Sequence, residues 1–523
     1  MSVEVLLPQP VETLVIMWLM TFLHLLDGAE VLYESGNAEI SGIQYDSRRV
    51  KPGDCFVAMR GESTDGNRYI DAAIAAGAVA VVTDSAQEKP RPGVAWAQAP
   101  HGRRALARVS ANFYRRPAEK LRVTGITGTN GKTTTSFLLE SILRAAGRKT
   151  ALVGTVEYHV AGKVLPAPHT TPEALELEAL FAEALGTGAT EAVMEVSSHA
   201  LEQQRVYGIP FDVAVFTNLT RDHLDYHLSM DKYFDAKRVL FRGCGTEPPR
   251  VGVFNIDDEY GARLAKKSKS EQRITYGIEK GDFHAERVDT GRNGTRFDII
   301  MPQGKIPIWS PLVGQVNVYN ILAAAAAAYG RDCPVQAVEK GVAALERVPG
   351  RFERVDCGQG FYVVVDYAHT DDALRNLLTL ARALVSKQQG RVITVFGCGG
   401  DRDRSKRPLM GEAAGRGSDF VVLTSDNPRS EDPLAIINDV LPGLQRANIR
   451  YTVEPDRRKA IALGLEQARA GDIVLVAGKG HEKVQITREG SAPFDDVEVS
   501  REALQALGYG SCTPAASGGK AAR

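Results

Sequence analysis

The sequence predicts an α/β protein of three domains built on largely parallel sheets, and three observations carry that expectation. The chain has 523 residues, more than a single hydrophobic core accommodates. Short, nearly continuous apolar runs recur along it, each followed by a polar or glycine-rich loop and then a helical pattern. One of these junctions, Gly125-Ile-Thr-Gly-Thr-Asn-Gly-Lys-Thr133, reads as a phosphate-binding turn between a strand and a helix.

Taken in order, the chain opens on an apolar run, Leu14–Leu26. It has the length of a secretion-signal core, but Glu4 and Glu12 stand where such a signal carries positive charge, and no small-residue cleavage site follows. It is too short to span a bilayer. A first helix over Met20–Leu26 is expected, after an extension of residues 1–19, with Met20 as an alternative start. Residues 20–103 alternate β-type runs (Ile40–Tyr45, Cys55–Ala58, Ala78–Thr83) with an alanine-rich helix, Tyr69–Ala76, and read as a small α/β domain. An amphipathic stretch, Arg103–Tyr114, then leads into a strand, Leu121–Gly125.

Residues 104–348 form the second expected domain. After the glycine-rich loop and its helix, Ser136–Arg144, strands are expected at Ala192–Val196, Val213–Thr217 and Val251–Asn255, and the alanines at 323–328 read as one tightly packed helix. The third domain, 349–510, repeats the pattern with strands Tyr362–Val365, Val392–Phe396, Phe420–Thr424 and Ile473–Ala477. Ligands of open α/β sheets bind beyond the carboxyl ends of their strands, so the loops after these runs are the candidate sites. A disordered tail is expected over 511–523.

A formal net charge of −1, with 44% apolar and 24% charged residues, excludes a partner held by global charge such as nucleic acid. The six cysteines, at 55, 244, 333, 357, 398 and 512, contain no CxxC pair. That spacing predicts reduced thiols in a cytoplasmic protein rather than a disulfide framework or zinc site.

In the glycine-rich loop, backbone amides converge on phosphate oxygens, aided by the positive end of the following helix. Lys132 reaches the terminal phosphates and the Thr133 hydroxyl can hold Mg2+. Isoleucine at 126 departs from the strict Walker pattern, which separates this chain from the commonest P-loop families.

From Gly128-Thr-Asn-Gly-Lys-Thr133 onward the sequence resembles the Mur ligase family, which also includes the folylpolyglutamate synthetases. The resemblance continues through His169-Thr-Thr-Pro172, Glu195-Val-Ser-Ser-His-Ala-Leu201, Asn218-Leu-Thr-Arg-Asp-His-Leu-Asp225 and Tyr233-Phe-Asp-Ala-Lys237. It extends over Asn317-Val-Tyr-Asn320, Gly350-Arg-Phe-Glu353, Val365-Asp-Tyr-Ala-His369, Asp426-Asn-Pro-Arg429 and Gly478-Lys-Gly-His-Glu482. This ordered set spans residues 20–505.

The resemblance implies a UDP-binding N-terminal domain, a central P-loop ATPase-type domain and a Rossmann-like C-terminal domain that binds an amino acid. It implies a monomer with no membrane span, using ATP as co-substrate with Mg2+. Joining a carboxylate to an amine needs an activated carboxylate, and ATP supplies an acyl phosphate. By resemblance ATP is held by Gly128, Thr129, Asn130, Gly131, Lys132, Thr133 and Thr134, with Asn320 at adenine, Asp366 at ribose and Arg351 at the terminal phosphate. Lys132, Glu195, His223 and Lys237 form the catalytic set. Thr133 and Glu195 would hold one Mg2+ and His223 would help bind a second. Lys237 is an ammonium at neutral pH and a poor ligand; the matching lysine of the family is carbamylated by CO2, which makes it carboxylate-like. His199, which follows a strand, reads as a structural histidine.

The implied acceptor is UDP-N-acetylmuramoyl-L-alanyl-D-glutamate, held by Ser47 in Asp46-Ser-Arg-Arg49 and by Thr170, Thr171, Ser197, Gln203 and Arg205. In the loop Gly61–Gly66, Glu62 stands where histidine is common, leaving the uracil contacts open. Asp426, Asn427, Pro428 and Arg429, with Arg402, Gly478 and Glu482, mark the members that add meso-diaminopimelate. The second carboxylate of that amino acid suits a bidentate arginine, and lysine lacks it. Glu482 is expected to pair with the distal ammonium. Asp371 replaces a common proline and is expected to alter helix capping. Rival readings are a lysine-adding or relaxed muramyl ligase, a folylpolyglutamate synthetase, and a P-loop kinase or switch-type NTPase. A dinucleotide oxidoreductase lacks its full GxGxxG spacing around Gly397-Cys-Gly-Gly400.

Overall fold

The computed structural model describes residues 19–61, 64–291, 293–385 and 390–510. The extension to residue 18, Glu62 and the 511–523 tail, each given an expectation above, lie outside them.

Five strands make the N-terminal sheet, in the order Tyr33–Ser35, Ala95–Gln98, Ala80–Thr83, Asp54–Ala58 and Gly42–Gln44. All neighbours are parallel except the first pair. The expected first helix is shorter than Met20–Leu26. Met20 and Thr21 pair with Ile40 and Glu39 as a short strand, and the helix is only Phe22–Leu25. Thr21 is its cap and accepts from the backbone N–H of His24, which fixes the start at that hydroxyl. Helix Gly102–Phe113 buries Ala105, Leu106, Val109 and Phe113 in this domain's core. It also meets helix Ala174–Gly186 of the central domain, and so joins the two.

The central sheet has eight strands, with Arg122–Thr127 between Glu191–Glu195 and Phe211–Phe216. Six strands are parallel, and the burial of nearly every residue in all but the edge strand Gln272–Tyr276 explains the unbroken apolar runs in the sequence. An antiparallel hairpin, Glu157–Val160 with Lys163–Pro166, extends one edge. Helices Lys132–Ala145 and Gln315–Gly330 cover one face. The six alanines are buried there, where a small side chain lets helix and sheet approach closely. A three-stranded antiparallel sheet over 284–310 was not expected; it interrupts the alternating pattern between two helices.

The C-terminal sheet orders Glu353–Val355, Tyr362–Asp366, Ile473–Ala477, Val392–Phe396, Phe420–Leu423 and Tyr451–Val453, with only the first strand antiparallel. Thr370, not Asp371, caps helix Asp371–Val385 by accepting from Ala373 N–H at 3.1 Å. Asp371 instead pairs with Arg375 one turn on. Cys55, Cys244, Cys333 and Cys398 are free. No helix among the described residues is long and apolar enough to cross a membrane.

One buried charge ties the phosphate-loop helix to the edge hairpin. His159 donates to Glu140 at 2.6 Å and to Glu157 at 2.9 Å. Burial opposes its protonation, but the two carboxylates outweigh it and raise its pKa to about 9. A raised value means stability fully present below the unfolded value near 6.5 and lost as pH rises through 9. We expect thermal melts of the wild type to lose about 2–3 kcal/mol between pH 7 and 10, and His159→Gln to lack that component.

Candidate active site

Strand Arg122–Thr127 lies at the switch point of the central sheet, since the chain continues to opposite sides of it. The loop Gly128–Gly131 sits just beyond, and the helix begins at Lys132. Gly128 and Gly131 have φ of 149° and 85°, and a Cβ on Gly131 would lie 2.5 Å from Asn320 Oδ1. Only glycine fits both requirements. The loop is fastened from behind: Asn130 N–H donates to Asn218 Oδ1 at 2.9 Å, and Thr217 Oγ1 donates to Asn130 O at 2.6 Å.

Two lysines converge on one carbonyl. Lys132 Nζ donates to Gly128 O at 3.0 Å and Thr129 O at 2.9 Å, and Lys237 Nζ donates to the same Gly128 O at 2.8 Å. Lys237 is buried and lies 4.6 Å over the Tyr233 ring. Burial lowers the pKa of both; for Lys237 the charge of Lys132 lowers it further, to well below the lysine range. Glu195, fully buried, accepts from Thr133 Oγ1 at 3.1 Å, Thr155 N at 2.8 Å and Thr155 Oγ1 at 2.9 Å.

His223 takes a left-handed backbone, φ 53°, unusual for this residue type and a mark of local constraint. Its Nε2 lies 3.3 Å from Asp222 Oδ2. Burial holds the His223 pKa low, with His199 and Lys237 adding to it against Asp222. Burial would raise Asp222, but His223, His369 and Lys406 outweigh it and keep the carboxylate ionised. His199 packs its ring against His223 at 4.8 Å and Tyr226 at 4.2 Å.

The C-terminal domain closes over this loop. Arg351 Nη2 donates to Thr133 Oγ1 at 3.1 Å, and Asn130 Nδ2 donates to Asp372 Oδ2 at 2.9 Å. Asp366 accepts from Phe352 N at 2.7 Å and Ala368 N at 2.9 Å, so it orders the segment carrying Arg351. Between the domains lies a cleft of about 540 Å³, lined by Thr129–Thr134, Thr170, Glu195, Ser197, His223, Asn320, Arg351 and Asp366. Lys237 meets it from beneath through Gly128.

The other expected residues form separate groups. Thr171 Oγ1 donates to Glu195 O at 2.9 Å and accepts from Ser197 N at 3.1 Å. Arg205 donates to Thr171 O at 3.0 Å and to Gln203 Oε1 at 2.6 Å. Glu173 lies between Arg205 and Arg103, 3.0 Å from each, so one carboxylate serves two guanidinium groups and a positive charge remains. Ser47 stands apart in a short 3-10 turn of the N-terminal domain. That domain reaches the central one through Tyr45, which donates to Glu176 at 2.9 Å.

Beyond the C-terminal strands, Arg402 and Arg429 flank Gly399. Arg429 donates to Gly400 O at 2.7 Å and Arg402 to Asp401 O at 2.8 Å, and among the described residues neither has a carboxylate partner. Burial and the charge of Arg402 lower the Arg429 pKa. Asn427 Nδ2 donates to Glu482 Oε2 at 2.7 Å, and a Cβ on Gly478 would meet Asp426. Pro428 is part of the same turn, its carbonyl against Gly400. Thr155, Asp222 and Asp372 received no role from sequence. Asp222 sits in the motif before His223 and was legible; nothing local marks Thr155 or Asp372, whose importance is purely spatial.

A phosphate loop facing a second α/β domain across a cleft defines a class, the ATP-dependent ligases that join an acid to an amine. The chain belongs to the Mur ligase family. It matches the Mur ligase family catalytic domain over residues 39–114, the Mur ligase middle domain over 126–328 and the Mur ligase glutamate ligase domain over 350–480. It is 53% identical over 477 residues to the UDP-N-acetylmuramoyl-L-alanyl-D-glutamate–2,6-diaminopimelate ligase of Solibacter usitatus, covering 91% of this chain and 96% of that protein. The enzyme of the same name from Geobacter metallireducens is 46% identical, over 90% and 95%. A solved structure of a ligase so named matches with TM-score 0.63 and 36% identity, covering 90% of this chain and 96% of that one. MurF from Acinetobacter baumannii shares the fold, with TM-score 0.65 at 20% identity over 94% and 98%.

Because Gly131 needs both a positive φ and an absent side chain, Gly131→Ala is expected to weaken ATP binding about tenfold or more. Nucleotide titration checks this, and an unchanged affinity would contradict the loop geometry.

Proposed function

We propose that this ligase adds meso-diaminopimelate to the γ-carboxylate of the D-glutamate in UDP-N-acetylmuramoyl-L-alanyl-D-glutamate, a step of peptidoglycan precursor synthesis. The observation that carries the reading is the pair Arg402–Arg429, two guanidinium groups that among the described residues pair with no carboxylate of their own, near the carboxylates of Asp426 and Glu482. An amino acid bearing an anion and a cation at its far end answers that arrangement, and the Arg429 fork suits a carboxylate bidentately.

Residue roles follow from position. Gly128–Thr134 wrap the phosphates of ATP, Asn320 faces adenine, and Asp366 keeps acceptor capacity for the ribose hydroxyls beyond its two backbone bonds. Lys132 and Arg351 approach the transferring phosphoryl group from opposite sides and neutralise its charge. A glutamate carboxylate oxygen attacks the γ-phosphorus of ATP, the bond to the β-phosphate oxygen breaks, and ADP leaves to give an acyl phosphate. Thr170, Thr171, Ser197, Gln203 and Arg205 hold the muramyl peptide, and Ser47 the uridine end. The diaminopimelate amine then attacks the acyl carbon, and phosphate leaves from the tetrahedral intermediate.

The donor set fits Mg2+. Thr133 and Glu195 present hard oxygens 3.1 Å apart, as this ion prefers, and His223 is held neutral by its surroundings. No group of three His, Cys, Asp or Glu side chains clusters among the described residues, so a further ligand must come from elsewhere. Lys237 supplies it as a carbamate: an uncharged buried amine is nucleophilic toward CO2, and the product carries a carboxylate-like charge. Bound there, the ion supplies charge neutralisation at the phosphoryl group.

Two measurements test this. Phosphate release with the UDP-muramyl dipeptide should depend on meso-diaminopimelate and not on L-lysine, with Arg429→Ala lowering kcat/KM about 10–100-fold. Equal release with lysine would overturn the arginine argument; release without any amino acid would overturn the ligase reading. Stripping CO2 should lower wild-type activity and bicarbonate should restore it. A Lys237→Ala variant should be about a hundredfold or more slower and unresponsive to bicarbonate; wild-type activity indifferent to CO2 would contradict the carbamate.

A further inference from the structure

The loop that carries Glu482 contains a cation with no part in the scheme above. Lys479 is fully buried, and its ammonium spends all three donors: on Asn427 Oδ1 at 3.0 Å, Glu482 Oε2 at 3.0 Å and Val484 O at 2.6 Å. Its neighbours are glycines with φ of 117° and 53°. A Cβ at Gly478 would lie 2.4 Å from Asp426 Oδ2, and one at Gly480 would lie 2.7 Å from Tyr367 Cβ and 2.8 Å from Gly350 O. The segment is therefore threaded between the amino-acid site and the backbone beside Arg351, and only glycine on either side allows it. The lysine side chain turns back toward the amino-acid site.

Asn427 is held twice over, since its Oδ1 also accepts from Ile486 N at 2.9 Å while its Nδ2 donates to Glu482. One oxygen of Glu482 thus receives both Lys479 and Asn427. The Glu482 side chain remains 27% exposed, so the carboxylate faces the site with its charge already met from behind.

We infer that Lys479 is a specificity-determining positioning residue, which neutralises Glu482 so that this carboxylate cannot by itself capture the ammonium of a diamino acid. A free Glu482 would attract any side-chain ammonium, lysine's included. Balanced by Lys479, it adds orientation but little net charge, and binding then depends on the anion that Arg402 and Arg429 receive. Exclusion of lysine rests in this account on a buried cation as much as on the half-buried Arg429, a discriminating element beside the attractive one. The inference rests on the proposed acceptor.

The test is steady-state kinetics of the full-length enzyme with meso-diaminopimelate and L-lysine as competing acceptors. Lys479→Met is expected to lower the ratio of kcat/KM for diaminopimelate over lysine about tenfold, mainly by a lower KM for lysine, with KM for ATP unchanged. Lys479→Arg should keep the ratio near the wild type. A folded Lys479→Met enzyme with the wild-type ratio overturns the inference. Should that variant not fold, Glu482→Gln and Lys479→Met/Glu482→Gln decide, because removing both partners leaves no buried charge unpaired. The single change leaves the cation uncompensated and should raise KM for both amino acids; the double change should recover part of that loss. No recovery overturns the inference. Wild-type enzyme that releases phosphate with neither amino acid would instead refute the proposed function.

Discussion

Two lysine side chains donating to one carbonyl, Lys132 and Lys237, is the constraint on which the rest of the site depends. Lys132 and Lys237 both end on Gly128 O, within hydrogen-bonding distance, Lys237 fully buried and Lys132 at the floor of the cleft. Like charges so placed repel, and no carboxylate pairs with either among the described residues. Burial and mutual repulsion favour the neutral form of Lys237. In the proposed scheme the arrangement is relieved by anionic phosphates beside Lys132 and by conversion of Lys237 to a carbamate anion. A loop in this state is pre-organised for polyphosphate and poorly satisfied without it, as electrostatic pre-organisation requires.

The surrounding architecture keeps that loop in place. Glu195 is fully buried and ties the next strand to Thr133 and Thr155. Asn218 and Thr217 hold the loop from the other neighbouring strand. The C-terminal domain adds Arg351 and Asp372, so two bonds cross the cleft to the loop itself. Domain position and phosphate geometry are consequently coupled: moving the C-terminal domain removes Arg351 from Thr133. Closure of this kind also carries the amino-acid site toward the activated carboxylate, because Gly350 and Gly480 pack backbone to backbone.

Much of this was legible in the sequence. Buried parallel strands write themselves as unbroken apolar runs, so four strands of each large sheet were placed to within a few residues, while shorter or half-exposed ones such as Gln272–Tyr276 and Tyr451–Val453 were not read. The glycine-rich loop announced a backbone that only glycine adopts. What escaped is what has no local signature. Met20 and Thr21 look helical by composition yet pair with Ile40, because a strand partner twenty residues away decides. In the sheet over 284–310 the first strand is mostly exposed and the other two mix buried and exposed residues, so none reads as an unbroken apolar run. Thr155 and Asp372 are ordinary residues made important by distance alone. Arg205 was expected among the residues that hold the muramyl peptide, and its ion pair with Glu173, shared with Arg103, had no signal in the sequence.

The most direct test of the account follows one oxygen atom. The UDP-muramyl dipeptide would be labelled with heavy oxygen in the glutamate γ-carboxylate and turned over with ATP and meso-diaminopimelate, and the released phosphate analysed by mass spectrometry. Activation through an acyl phosphate transfers a carboxylate oxygen to phosphate, so the account predicts labelled phosphate together with a diaminopimelate-containing product. Unlabelled phosphate would mean that ATP is hydrolysed without activating the carboxylate, and would contradict the central claim.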